Sequence, residues 1–251
     1  MTDNTIDATK TSFEILEHLK ENDGNTITGI ARALNLPKST VHNHVSTLQT
    51  CGYTINVDGE IQPSLKFLDF GQYRRRQLDI SNVAKSEIDQ LAADTGEQAD
   101  LAVEEHGKCV YLYIAHGENA IKLNTYTGQQ FYLHATGLGK AMLAYLPDEA
   151  VSRIIDRHGL PRMTDNTITD ERQLRDELEE VKERGFAYNV EENTDQICCI
   201  AAPILDDSET VHGAISVSTP AQRFHSSGKE EDIKDAVLNA ANIIELKLKH
   251  G

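Results

Sequence analysis

Apolar residues in the first 50 positions recur at three- and four-residue intervals, which is the spacing of amphipathic helices. Turn residues at 22–24 and 35–37 divide this stretch into three helical segments. The inward-facing positions are Ile15, Leu16 and Leu19 in the first segment, Ile30, Ala31 and Leu34 in the second, and Val41, Val45 and Leu48 in the third. Thr26 or Thr28 can cap the second helix, and Pro37 suits the start of the third because its nitrogen carries no hydrogen.

A hairpin is predicted directly after the third helix. The residues YTINVDGEIQ alternate in polarity around Asp58-Gly59, a dipeptide that favours a two-residue turn. Three helices followed by a hairpin is the order of a winged helix-turn-helix, in which the third helix enters the major groove of DNA. The alternative is a small helical bundle whose third helix has a polar outer face. We assign the winged helix-turn-helix to residues 1–70.

The distribution of charge favours DNA as the partner of the third helix. The chain has 40 Asp and Glu against 24 Lys and Arg, yet residues 24–57 contain no carboxylate, which would repel phosphates. Residues 1–78 contain 8 basic and 9 acidic side chains, whereas residues 79–251 contain 16 and 31. The outward positions of the third helix are Lys38, Ser39, Thr40, His42, Asn43, Ser46 and Thr47. Side chains of these types donate hydrogen bonds to phosphates and base edges.

The region after residue 70 carries a helical stripe of apolar residues that ends at Gly96. We therefore expect one long connecting helix over residues 71–96. Arg74, Arg75 and Arg76 on this helix form the densest basic cluster of the chain. They are either a solvated helix face or a contact to DNA phosphates, and the sequence leaves both alternatives open.

Residues 97–251 predict an α+β domain, because short alternating segments are interrupted by helical ones. The predicted strands cover residues 99–105, 109–115, 120–126, 186–192, 197–205 and 211–218. The predicted helices cover residues 136–146, 148–159, 170–185 and 228–249. The whole chain is therefore expected to be α+β, with an N-terminal winged helix-turn-helix, a connecting helix and a C-terminal mixed domain.

Composition limits the other classes of function. The four cysteines lack the spacing of a zinc site, so we expect no metal and no cofactor. No apolar run approaches the ~20 residues that span a bilayer, and the first ten residues lack a signal-peptide pattern, so a cytoplasmic protein without a membrane partner is expected. The formal net charge of −16 fits either a salt-rich cytoplasm or an ordinary acidic protein.

Several long motifs together resemble the IclR family of transcriptional regulators. In chain order they are ITGIARALNLPKSTVHNHVSTLQTCGY, LHATGLGKAMLAYLP, GLPRMTDNTITD, VKERGFA, CIAAPI and GAISVSTPAQRF. The resemblance covers nearly the whole chain. It implies a GAF-like sheet over residues 97–251 with a cavity for a small effector, an organic acid or a sugar-derived acid. It also implies a dimer or a dimer of dimers on a pseudo-palindromic operator, acting as a repressor or an activator.

Four positions and the stretch EIQPSLKFLDFG after the wing depart from the family pattern. Asn189 replaces an aspartate that relatives often have, which removes a negative charge and changes the ligand groups that are accepted. Asn43 replaces a basic residue, which removes a contact to DNA. His44 replaces an apolar residue, and its side chain is either part of the helix packing or a contact to DNA. Gly137 replaces an alanine, which predicts a looser or roomier segment at that point.

The predicted effector site combines a helix start with three strands. The TGLG turn that opens the helix near residue 136 exposes amide groups that suit an anion. It is not a P-loop, because His134 and Ala141 occupy essential positions of that motif. The ligand-binding residues that the resemblance implies are Thr136, Gly137, Leu138, Gly139, Asn189, Cys199, Ser216 and Ser218. Cys198 must face away from Cys199 because strand side chains alternate.

A thiol enzyme is the alternative function. Cys109, Cys198 and Cys199 are candidate nucleophiles, with His134 as a base. A reactive cysteine needs an electropositive environment, and adjacent strand cysteines diverge. The winged helix-turn-helix would also remain unexplained, so a regulator without catalytic residues is the preferred interpretation.

Overall fold

The computed structural model describes residues 5–226 and 228–250. The chain forms two compact units, with the division between Arg74 and Arg75. Residues 1–4, which begin the stretch judged to lack a signal peptide, lie outside the described residues. No helix of the described part combines the length and the apolar composition that crossing a membrane requires.

The N-terminal unit has the predicted order of three helices and a hairpin. Its elements are α1 (Asp7–Glu21), α2 (Ile27–Ala33), α3 (Lys38–Thr50), β1 (Thr54–Val57) and β2 (Glu60–Pro63). Its core consists of Ile15, Leu19, Ile30, Val41, Val45 and Ile61, with Leu48 partly buried against it. Asp58 and Gly59 both have positive φ, 52° and 92°, as the two-residue turn between β1 and β2 requires. The winged helix-turn-helix prediction is confirmed.

The prediction of a single long connecting helix over residues 71–96 is wrong. The structure has two helices, α4 (Lys66–Arg76) and α5 (Asp79–Thr95), and α4 begins inside the range assigned to the DNA-binding domain. Leu78 is extended, with φ −92° and ψ 112°, which ends helical geometry between them. Asp79 then lies in the first turn of α5, where a carboxylate favours the amino end of a helix. Gly96 caps α5 with φ 73°, as predicted.

The C-terminal unit contains one six-stranded antiparallel sheet with helices on both faces. Its strands are β3 (Gln98–Glu105), β4 (Lys108–His116), β5 (Gln130–Tyr132), β6 (Ala187–Val190), β7 (Ile197–Leu205) and β8 (Val211–Pro220). Its helices after α5 are α6 (Gly137–Leu143), α7 (Asp148–His158), α8 (Glu171–Arg184), α9 (Ala221–Phe224) and α10 (Lys229–His250). The strand order is β5-β4-β3-β8-β7-β6, so β3 and β8 lie at the centre.

Alternation along the central strands separates two apolar cores. One face of the sheet packs against α5 and α10, and the other packs against α6, α7 and α8. On β7, Cys198 belongs to the core under α5 and α10, as alternation from Cys199 requires. The α+β class is confirmed by this arrangement, whereas the comparison with a GAF domain stays a prediction.

The strand predicted over residues 120–126 is wrong. The structure contains no strand there, and β4 pairs instead with the three-residue β5. Leu123, Asn124 and Thr125 line a cavity next to the sheet rather than extending it. The polarity of residues 120–126 therefore alternates in a segment that lines a cavity and does not pair with another strand.

Candidate functional sites

The outer face of α3 is open to solvent. Of the seven predicted DNA-binding residues, Lys38, Ser39, His42, Asn43, Ser46 and Thr47 are exposed and Thr40 is half-buried. The Thr47 hydroxyl donates to the Asn43 carbonyl at 2.8 Å, so its donor is used within the helix. Val41 and Val45 hold the opposite face against the core. The structure therefore places all seven residues on one helix. The Thr47 hydroxyl can still accept a hydrogen bond, but its own hydrogen is already donated to Asn43.

His44 is part of the packing between α3 and α1. Its Nδ1 lies 2.8 Å from the Ser12 hydroxyl, and the side chain is half-buried. This contact confirms the packing alternative for His44.

The arginine cluster is divided between two surroundings. Arg75 donates from Nη1 to the Leu112 carbonyl at 3.2 Å, so this guanidinium is held against β4. Arg74 and Arg76 are exposed. A phosphate contact by the cluster stays a prediction, and Arg75 is poorly placed for it.

A cavity of about 260 Å³ lies against the face of the sheet that carries α6. It is lined by Gln98, Tyr111, Leu123, Asn124, Thr125, Gln129, Phe131, Thr136, Gly137, Leu138, Asn189, Asn193, Thr194, Ile197, Cys199 and Ser218. Five of these side chains are amides and five carry hydroxyl groups. None of the described residues that line the cavity has a formal charge. The cavity therefore offers many neutral hydrogen-bonding groups beside an apolar wall of comparable extent.

Six of the eight predicted effector residues line this cavity. They are Thr136, Gly137, Leu138, Asn189, Cys199 and Ser218. Gly139 and Ser216 do not line it, so their direct role in binding stays a prediction that the cavity does not support. A Cβ on Gly139 would lie 2.1 Å from the Leu133 carbonyl oxygen, so this glycine packs α6 against the 3₁₀ turn Leu133–Ala135. Ser216 shares the face of Ser218 but is deeper in the sheet, opposite Asp100 and Ala201.

Gly137 permits a close approach between α6 and β7. A Cβ at this position would lie 2.8 Å from Cys199 Sγ and 3.4 Å from the Ala201 Cβ. The expectation of a roomier segment is therefore wrong, because the Cys199 thiol fills the space that an alanine methyl would need. Thr136 caps the same helix, and its hydroxyl accepts from the Gly139 amide at 3.0 Å.

Asn189 uses both ends of its amide to hold the wall of the cavity. Its Nδ2 donates to the Ala135 carbonyl at 2.6 Å, and its Oδ1 accepts from the Glu192 amide at 3.2 Å. An ionised aspartate could not donate to Ala135. The amide thus connects the 3₁₀ turn with the loop that follows β6.

Lys140, on α6, anchors a buried network of charges that the motif analysis missed. Its side chain is 2% exposed, and Nζ lies 2.7 Å from Glu192 Oε1 and 3.3 Å from Glu177 Oε1. Arg184 contacts the same Glu177 oxygen at 2.8 Å. Burial raises the pKa of Glu192, and the Lys140 charge opposes that rise. The sequence signal for a buried ion pair is a lysine whose neighbours within the helix are glycine and apolar residues, as in GLGKAML.

Asp100 is the second group that the motif analysis missed. It is fully buried at the centre of β3, where it accepts from Gln98 Nε2 at 2.8 Å and from the Ser218 hydroxyl at 3.3 Å. Burial raises its pKa to about 7, and these two hydrogen bonds oppose the rise. Gln98 and Ser218 line the cavity, so the carboxyl group lies one side chain behind its wall.

The cysteines lack the environment of a catalytic thiol. Burial raises the pKa of Cys109 and Cys199 to about 12 and that of Cys198 to about 11. A reactive thiol requires a shift in the opposite direction. His134 bonds through Nε2 to the Pro161 carbonyl at 3.1 Å, and burial lowers its pKa.

Comparison with known proteins follows the same division of the chain. Residues 11–54 match the model of the IclR helix-turn-helix domain, and residues 74–246 match that of the bacterial transcriptional regulator IclR C-terminal domain. The "Probable HTH-type transcriptional regulator ArcR" of Halobacterium salinarum is 31% identical over 242 residues, 95% of this chain and 92% of that protein. The HTH-type transcriptional regulator BhcR of Paracoccus denitrificans is 32% identical over 94% of this chain and 85% of its own length.

Solved structures show the same fold over the full chain. The crystal structure of the Thermotoga maritima IclR superposes with a TM-score of 0.76 at 28% identity and covers 97% of this chain and 99% of its own. An IclR homologue from Microbacterium hydrocarbonoxydans, complexed with 4-hydroxybenzoate, superposes with a TM-score of 0.81 at 22% identity, covering 97% of this chain and 100% of that one. The relatives are named as regulators and not as enzymes. The chain thus belongs to the IclR family of transcriptional regulators, which join a helix-turn-helix to a C-terminal effector domain.

Proposed function

We propose that this protein is a dimer that binds a two-fold symmetric operator through α3 and responds to a small hydroxylated carboxylic acid in the cavity beside α6. The observation that carries the effector class is the lining of that cavity. Ten of its sixteen residues carry an amide or a hydroxyl group, and these groups can hold both a carboxylate and several hydroxyl groups. A volume of about 260 Å³ lies below the ~300–1,000 Å³ typical of sites for drug-sized ligands.

An aromatic acid is the second candidate effector. Tyr111 and Phe131 line the cavity with ring centroids 5.0 Å apart, and one structural relative carries 4-hydroxybenzoate. The ten amide and hydroxyl side chains among the lining residues favour a ligand with more hydroxyl groups. Hydroxylated and aromatic acids of equal charge therefore form the two arms of the binding experiment.

Self-association is supported by the apolar surface of α4. None of the residues of this helix is buried, and Leu65 directly precedes it. Leu65 is 83% exposed, Tyr73 is 61% exposed, and Leu68 and Phe70 are exposed between them. Large exposed apolar side chains mark protein contacts, and a second copy of the chain gives the two-fold symmetry that operators of helix-turn-helix dimers share.

The effector changes DNA affinity by binding one arrangement of the dimer more tightly than another. Such coupling requires a difference in ligand affinity between the two arrangements, and it acts equally in the reverse direction. DNA should therefore change effector affinity by the same factor as the effector changes DNA affinity. No bond is made or broken in the ligand.

The test is fluorescence anisotropy with DNA from upstream of the protein's own gene, titrated with hydroxylated acids, aromatic acids and the neutral amides of both. We expect binding to one fragment and a shift in affinity with a hydroxylated acid. Ser218→Ala should abolish the shift and keep the DNA affinity, whereas His42→Ala should weaken DNA binding and keep the effector affinity. Failure to bind any fragment, with every acid tested, would refute the proposed function.

A further inference from the structure

Asp100 is a buried carboxyl group with neutral neighbours. Gln98 and Ser218 are its hydrogen-bond donors, and among the described residues it takes part in no ion pair. Across the sheet Asp100 pairs with Ile114 on β4 and with Ser216 on β8. An ionised carboxylate in such a place loses its hydration without gaining a cation, which favours the neutral form.

Two buried atoms beside this carboxyl group have unused hydrogen-bonding capacity. Gln98 Oε1 has no hydrogen-bond partner, although its side chain is 1% exposed. Ser216 Oγ lies near Asp100 without a partner that satisfies hydrogen-bond geometry. A neutral Asp100 gains a donor, and rotation of the Gln98 amide by 180° would present Oε1 to it. The surroundings thus accommodate the protonated carboxyl group as well as the ionised one.

Other titratable groups lie near this face on the surrounding elements. They are Cys109 and Tyr111 on β4, Cys199 on β7, His134 on the 3₁₀ turn, Lys140 on α6 and Glu192 after β6. Burial raises the pKa of each thiol and of the Tyr111 hydroxyl, and lowers that of His134. Lys140 and Glu192 bind each other. Burial raises the pKa of Asp100 to about 7, so among the described groups on this face Asp100 is placed to change its charge near neutral pH.

We propose that Asp100 sets the charge selectivity of the effector cavity, so that an anionic ligand enters together with one proton that Asp100 takes from solvent. Ionised Asp100 repels a ligand carboxylate held against Gln98 and Ser218, whereas neutral Asp100 does not. The proton returns to solvent when the anion leaves. The inference rests on the proposed function only in taking this cavity as the effector site.

The test compares two small alkylating reagents that differ in charge. Iodoacetate is an anion and iodoacetamide is neutral, and both are small enough to approach Cys199, whose side chain lines the cavity. The rate of modification at each cysteine is measured by peptide mass spectrometry, with fragmentation to separate Cys199 from Cys198. Because the same thiolate attacks both reagents, the ratio of the two rates cancels the thiolate fraction. Exposed Cys51 in the same molecule supplies the reference ratio.

The measured quantity is the rate of modification by iodoacetate divided by that by iodoacetamide at Cys199, normalised to the same ratio at Cys51. We expect this normalised ratio to fall about tenfold between pH 6 and pH 9, because a neighbouring like charge commonly shifts such equilibria by about one pKa unit. Asp100→Asn should remove this fall and keep the high ratio at both pH values. The control Asp156→Asn changes the net charge equally at an exposed site and should behave as the wild type. A normalised ratio that does not change with pH, or the same fall in Asp100→Asn, would overturn the proposal.

A second measurement does not depend on alkylation or on the variant. The Asp100 carboxyl carbon can be titrated by NMR in protein labelled at aspartate. Excess acetate, a small unreactive anion, should raise the titration midpoint of Asp100, and an unmoved midpoint would overturn the proposal. Neither experiment involves DNA, so a protein that failed the operator test could still pass both, and the two failures are distinguishable.

Discussion

Replacing Lys140 by methionine would remove the charge at the centre of the buried network and keep most of the side-chain volume. The Lys140 ammonium lies 2.7 Å from Glu192 and 3.3 Å from Glu177. Glu177 would keep Arg184 at 2.8 Å, so its charge stays paired. Glu192 is 7% exposed and would be left as a buried carboxylate without a cation. Removing one partner of a buried ion pair typically destabilises a protein by about 3–5 kcal/mol.

Protonation of Glu192 sets an upper limit on this loss. A glutamate with an ordinary pKa of 4.5 in the unfolded chain costs about 3.4 kcal/mol to protonate at pH 7, since each pH unit is worth about 1.4 kcal/mol. At pH 5 the same step costs about 0.7 kcal/mol. The folded-state pKa of Glu192 is raised above the unfolded value, so the folded state binds more protons and stability rises as pH falls. We therefore expect a loss of about 3 kcal/mol at pH 7 and less than about 1 kcal/mol at pH 5.

Urea unfolding followed by circular dichroism at both pH values is the assay, with wild type, Lys140→Met, Glu192→Gln and the double variant. The double variant should recover most of the loss, because the unpaired carboxylate is then absent. Lys182→Met, at an exposed position of α8, is the matched control and should change stability little. A loss that is equal at pH 5 and pH 7, or that the double variant does not reduce, would refute this reasoning.

Three further predictions concern the cavity, the dimer and the surface. Gly137→Ala should displace the Cys199 thiol, because the new methyl group would lie 2.8 Å from its sulfur. We expect weaker effector binding, measured by calorimetry, and an unchanged affinity would contradict that contact. Leu68→Ser with Tyr73→Ser should shift the protein towards monomer in light scattering, and an unchanged mass would place the interface elsewhere. The melting temperature should rise with potassium chloride, because residues 79–251 carry 31 acidic against 16 basic side chains and salt screens their repulsion. A maximum at low salt would contradict adaptation to a salt-rich cytoplasm.

Local signals in the sequence were sufficient for the N-terminal unit. The stripe of Val41, Val45 and Leu48 predicted which face of α3 is buried, and Asp58-Gly59 predicted the turn of the wing. Both depend on neighbouring residues, which periodicity and turn chemistry describe well. His44 was undecided for the opposite reason, because its partner Ser12 lies 32 residues earlier in the chain.

Contacts between distant segments explain what the sequence did not predict. The break between α4 and α5 falls at Gln77 and Leu78, where neither glycine nor proline marks the end of a helix. Residues 120–126 alternate like a strand but face a cavity. Lys140 and Glu192 are 52 residues apart, and Asp100 lies 118 residues before Ser218. Pairings of this kind require the folded sheet, and the sequence alone gives no spacing from which to infer them.

The outer face of α3 is the proposed DNA-binding surface. Thr40→Ala with His42→Ala changes two side chains of that face and leaves its buried residues intact. A footprint on DNA from the protein's own locus should show two protected half-sites one helical turn apart, or a multiple of it, for the wild type. The double variant should lose that protection while its circular dichroism and its effector affinity remain those of the wild type. Equal protection by both proteins would contradict the assignment of α3 as the DNA-binding surface.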